Sequence, residues 1–109
     1  MANTFKLKTK ANVGVTTVGI YTAPAATPTV VIGITMANTS GSGVNVGVGI
    51  TRAGTTEDVK LLKNAPIPQG SSLEFMAGNK IVLEATDTVT VDSDTNNSVD
   101  AALTIMEIT

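Results

Sequence analysis

Apolar and polar residues alternate along most of the chain. In TFKLKTK, Phe5 and Leu7 alternate with Lys6, Lys8 and Lys10. An extended segment there has one apolar face and one basic face. A second strand is predicted over residues 16–22, with Val18 and Ile20 sharing a face. In TVVIGITMAN the pattern puts Val30, Ile32, Ile34 and Met36 on one side. VNVGVGITR is the cleanest case: Val44, Val46, Val48 and Ile50 point one way, and Asn45, Gly47, Gly49 and Thr51 the other.

The second half continues in the same period. EDVKLLKN places Val59 and Leu61 inward, and Lys60 opposite, with Leu62. SLEFM, NKIVLEA and DTVTVDS follow as short strands. The C-terminal segment VDAALTIMEIT puts Val99, Ala101, Leu103 and Ile105 on one face. Between these runs lie turn-forming stretches: APAATP, TSGSG, AGTTED and APIPQGSS. Proline cannot donate to a ladder, so the proline stretches are turns or edges, and Ile67 between two prolines is expected to tuck into the rim of the core. No segment carries a helical stripe. Eight or nine short strands separated by turn signals predict an all-β fold, a single-domain antiparallel β-sandwich of jelly-roll-like form over residues 1–109. Residues 1–12 are either an extended arm or an edge strand.

Composition supports this picture. Thr, Val and Ile dominate, and they favour pleated, half-buried strands. Only Phe5, Tyr21 and Phe75 are aromatic, so the core is aliphatic. The net charge is −2, from 7 basic and 9 acidic residues. That leaves no basic footprint for nucleic acid. There is no Cys and no His, which removes disulfides, thiolate metal sites and the commonest general base. MANTFKLKTK is not followed by an apolar segment of signal-peptide type, and VVIGITMA is too short to cross a bilayer. The expectation is a full chain made in a cytoplasm, with no membrane partner.

Candidate chemistry is thin. DSDTNN places Asp92, Asp94 and Asn96 like the opening of a calcium loop. Positions six and twelve are Asn97 and Leu103 where such a loop needs Gly and Glu. The pattern reads as a polar hairpin turn, with a weaker loop-built calcium site as its alternative. Glu74, Glu84 and Asp87 are the carboxylates that a hydrolase would use, and each also reads as a solvent-facing strand or turn residue. The glycines of GSGVNVG join two strands and open no helix, so they form no phosphate loop. Tyr21 alone is slim support for a glycan site. No cofactor, metal ligand set or catalytic residue is expected, and the chain is not read as an enzyme.

Two features point to the surface instead. The ridge Lys6, Lys8 and Lys10 with Phe5 and Leu7 is a candidate for contacting a partner, or an edge whose lysines block unwanted pairing. Gly47 and Gly49 mark either a bulge or a flat patch against which a neighbouring subunit packs.

From Ile20 to Ile108 the order of segments resembles that of a known group. An apolar strand ends in Ala-Asn-Thr, followed by a small-residue turn and a Val-rich strand. Then come LLKNAPIPQGSSLE, KIVLEATDTVTV and a last strand ending in Glu-Ile. This is similar to small all-β virion proteins of tailed bacteriophages, the structural, decoration or cement proteins. The resemblance implies a capsid decoration protein on the outer surface of the virion. Its partner would be the major capsid protein of the same phage, bound across subunit joints, and its own state a homo-oligomer, with a trimer as the expectation. The alternatives are a tail, neck or fibre-base module and a host-surface glycan-binding module.

Overall fold

The computed structural model describes residues 3–52, 57–75 and 80–108. Nine strands are found among them: β1 (Asn3–Val13), β2 (Val18–Thr22), β3 (Thr29–Asn38), β4 (Val44–Thr51), β5 (Asp58–Ile67), β6 (Ser72–Phe75), β7 (Ile81–Leu83), β8 (Thr88–Ser93) and β9 (Val99–Ile108). Most of the expected AGTTED loop, Met76 of SLEFM and the opening residue of NKIVLEA fall outside the described residues.

The strands form two sheets. One runs β1-β9-β3-β6, with β7 also on β3; the other runs β2-β8-β4-β5. Every pairing is antiparallel. β6 lies against Ile34–Ala37 and β7 against Thr29–Val31 of the same neighbour, so together they make one interrupted edge strand. Counted that way, each sheet has four strands and the chain crosses repeatedly between them. This is the jelly-roll arrangement of two interlocked Greek keys.

One apolar cluster fills the space between the sheets. Val31, Ile34 and Met36 of β3, Val44, Val46, Val48 and Ile50 of β4, Val89 and Val91 of β8, and Val99, Ala101, Leu103 and Ile105 of β9 are all buried. Burying side chains of this size contributes about 1.5–3 kcal/mol each relative to exposure. The expected inward faces of β4 and β9 are the observed ones, and Ile67 is fully buried at the rim. The core carries an interior gap of about 10 Å³ among Val31, Ile34, Val48 and Leu103, no more than one water would occupy.

Bulges add to or alter the expected faces of three strands. In β3 the pairing with β9 shifts between Val31 and Gly33. Before the shift Thr29 and Val31 point inward; after it Ile34, Met36 and Asn38 do, so Val30 and Ile32 are only half-buried. In β2 the shift between Gly19 and Tyr21 adds Tyr21 to the core, against which Val18 and Ile20 are both partly buried. In β5 the first shift, opposite Val46–Val48, brings Leu62 onto the inward face opposite Val48, so Leu61 and Leu62 are both half-buried against the core. The second shift restores the phase, placing Val59 opposite Ile50 at the exposed end of the edge. Each bulge adds one residue to one strand and reverses the inside–outside phase beyond it.

Candidate interaction surface

β1 pairs with β9 without interruption from Asn3 to Lys10 and forms the outer edge of its sheet. The alternation seen in the sequence therefore becomes two faces. Phe5 and Leu7 point outward, 67% and 64% exposed. Lys6 and Lys8 point the other way, towards the rim of the sandwich.

That rim holds a buried polar cluster. Lys6 Nζ lies 2.9 Å from Glu107 Oε1, and the Glu107 side chain is only 7% exposed. The Tyr21 hydroxyl donates to Glu107 Oε2 at 2.6 Å and lies 3.1 Å from Thr29 Oγ1. Lys8 Nζ sits 5.9 Å from the centroid of the Tyr21 ring, within cation–π range. Strands β1, β2 and β9 thus meet through one carboxylate, and β3 joins them through the Tyr21 hydroxyl. Donation by Tyr21 and by Lys6 holds the Glu107 carboxyl below its ordinary range. Burial, reinforced by the Glu107 hydrogen bond, pushes the Tyr21 hydroxyl up to about 12. An ionised carboxylate is tolerated here because its charge is paired and hydrogen-bonded. Glu107 was missed by reading the sequence, yet a signal was present. It continues the inward series Val99, Ala101, Leu103, Ile105, and a carboxylate in phase with a core demands a partner.

The opposite face of the same sheet is apolar. Phe5 pairs with Met106, Met106 with Val30, and Val30 with Val82. Directly opposed residues in antiparallel strands share a face, so these four side chains form a row across the sheet. Val82 is 63% exposed, and Met106 and Val30 are half-buried. Leu7 extends the row along the edge. Towards the other end of the face lies a shallow depression lined by Thr9, Ala11, Thr35, Ala37 and Ala102.

The remaining candidates have partners within the chain. Gly47 and Gly49 are buried in the outer face of the second sheet. A Cβ on Gly47 would lie 2.6 Å from Asp92 Oδ1, and one on Gly49 2.9 Å from the Val59 carbonyl. They sit at the register shifts with β5, so a partner approaching there would meet Lys60, Asp92 and Thr90 first. Asp92 accepts from Thr17 Oγ1, Asp94 from the Asn45 amide and Asn96 from the Val15 amide; the three side chains brace the β8–β9 turn. Asp87 is buried, binds Arg52 Nε at 3.2 Å and accepts from the Glu84 amide. Arg52 also reaches Glu84 at 3.3 Å. Glu74 stands apart on β6, opposite Thr35. Glu84 and Asp87 therefore come together on Arg52, and Glu74 does not join them. Lys10 is exposed and makes no ion pair among the described residues.

No protein-family profile and no curated protein matches the chain. Several solved structures do share its fold. A chain of the Bacillus endospore appendages, described as disulfide-linked pili, superposes with a TM-score of 0.60 at 16% identity, covering 99% of this chain and 87% of its own. A chain of the cyanophage Pam1 capsid asymmetric unit gives 0.57 at 16% identity, covering 95% and 85%. A chain of the acid-stable capsid of Helicobacter pylori bacteriophage KHP30 gives 0.57 at 11% identity, covering 98% and 87%. At these identities the likeness is one of fold. All three belong to assemblies built from many protein chains.

Proposed function

We propose that this chain is a structural protein of a phage virion, and within that class a decoration protein of the capsid. The observation that carries the reading is the apolar row Phe5–Met106–Val30–Val82 on the outer face of an otherwise well-sealed sandwich. Isolated exposed apolar residues are ordinary, but a contiguous row marks a contact surface. The interior supports no competing role, since its gap is too small for a ligand. On this reading the protein works by packing its surface against a partner. The likeness to chains from two phage capsids supports assembly on a shell. The disulfide linkage named for the pili would need cysteine, and this chain has none.

In this role the protein sits on the outer surface of the particle and binds the major capsid protein across subunit joints. A ligand that binds only the assembled shell stabilises it by mass action, and many copies acting together make weak single contacts sufficient. A trimer would suit local three-fold positions. The test is the copy number of the chain in purified virions, by quantitative mass spectrometry against the major capsid protein. A ratio near one, or a simple fraction of it, supports decoration. A handful of copies would move the protein to the tail, neck or fibre base.

A further inference from the structure

A β-sandwich has sheet edges whose unpaired backbone groups invite another strand, and proteins commonly blunt them. This jelly roll has four. β2 is five residues long and carries a bulge. β6 and β7, of four and three residues, form an interrupted edge. β5 is long, but it has two register shifts and Pro66 in its pairing with β4. β1 is different. It pairs residue for residue with β9 over Asn3–Lys10 and contains neither proline nor glycine. Every second backbone N–H and C=O along its outer side points away from the sheet. The edge is also held in place, because Lys6 is anchored to Glu107.

The side chains of this edge specify what could pair with it. On one face stand Phe5 and Leu7, both largely exposed. On the other stand three lysines within five residues, on a chain of net charge −2. Glu107 bonds directly to Lys6 and Tyr21, and Lys8, over the Tyr21 ring, and Lys10 make no direct ion pair among the described residues. A second copy of β1 would bring lysine rows side by side, and like charges opposite one another are destabilising. An acidic strand gains where a copy loses, so the same lysines reject self-pairing and select a partner.

We propose that β1 is an acceptor edge: it takes up, as an added strand, an extended segment of a partner protein in which apolar residues alternate with carboxylates. The added backbone continues the ladder beyond β1. Its apolar side chains extend the Phe5–Leu7 face, and its carboxylates lie against Lys8 and Lys10. This is strand addition, in which backbone bonds give affinity and alternate side chains give specificity. The proposal deepens the shell-docking reading and rests on it for the identity of the partner, but its test does not need a particle.

The probe is a short capped peptide alternating valine with glutamate, titrated into the full-length protein and followed by amide NMR and hydrogen exchange. The expected result is shift changes and slowed exchange confined to residues 4–10. A matching valine–lysine peptide should bind about tenfold more weakly, since like charges opposed across strands are destabilising. Methylating alternate peptide amides should abolish binding, which an attraction between charges alone would not. The variant Lys10→Gln alters a residue outside the Glu107–Tyr21 cluster and should narrow the preference for the acidic peptide severalfold while staying folded. Three results would overturn the proposal: no change along β1 at millimolar peptide, equal binding of the lysine peptide, or self-association of the protein through β1 in sedimentation. A chain abundant on virions that ignores the peptide would sink the acceptor edge alone. A chain that binds the peptide but is rare in particles would sink the decoration role alone.

Discussion

β1 and β5 are both edge strands, of 11 and 10 residues, and they meet the hazard of an open edge in opposite ways. β5 breaks its own ladder. Its register slips twice against β4, Pro66 removes a donor, and Asn64 takes a left-handed φ of 55°. β1 keeps a regular ladder up to Lys10 and bends only near its end, where Asn12 adopts a φ of 58°. The first edge is closed by backbone geometry. The second is left open in its backbone and guarded by charge. Geometry excludes every strand, whereas charge excludes some and admits others. On this view the working side of the molecule is the sheet that ends in β1.

The largest perturbation should come from the core that both edges lean on. Leu103→Ala, in β9 between the sheets, removes a fully buried side chain and should lower unfolding stability by about 2–5 kcal/mol, measured by urea denaturation. A loss below 1 kcal/mol would mean that the core is looser than described. Next is the β5 side. Gly49→Val places branched carbons where even a Cβ lies 2.9 Å from the Val59 carbonyl, and should cost about 1–3 kcal/mol. Hydrogen exchange should quicken in β4 and β5 while β1 stays unchanged, and uniform quickening would erase the contrast between the two edges.

The β1 side should answer to its polar anchor. Tyr21→Phe removes the hydroxyl that donates to Glu107 and should cost about 1–2 kcal/mol, with amide exchange quickening first in β1. The anchor also predicts two pH limits. Glu107 has a depressed folded pKa, so its contribution is present above the ordinary carboxylate value of 4.5 and is lost as pH falls below it. Tyr21 is raised from 10.0 to about 12, so its contribution is present below 10 and is lost as pH rises through that interval. Thermal melts across pH should show both declines, and Tyr21→Phe should remove the alkaline one. A melt that ignores the alkaline interval would refute the buried pair. The smallest effect on stability is expected for Phe5→Ser, within about 0.5 kcal/mol because the side chain is exposed, while any attachment of the protein to shells should weaken.

Strands were legible in the sequence wherever their ladders are regular. The inward series of β4 and β9 follows directly from period-2 alternation, and so does the two-faced character of β1. Bulges were not legible. Val30 and Ile32 look like core residues by local pattern, but the extra residue in β3 is defined by its pairing with β9, some seventy positions later. The same holds for Leu62, which a shift turns towards the core opposite Val48, and for Tyr21, which the local pattern offered no reason to place in the core. The candidate surface was half visible. Phe5 and Leu7 could be assigned a shared face, but which face turns outward depends on Glu107, at the far end of the chain. Lys6 turns inward because that carboxylate is there to meet it.

The most direct test compares the two edges in one experiment. Hydrogen exchange by mass spectrometry would be recorded for the free protein and for the protein bound to purified shells. The account predicts new protection over residues 4–10 of β1 and none over β5. Protection gained on β5, or binding that leaves β1 as exposed as before, would contradict it.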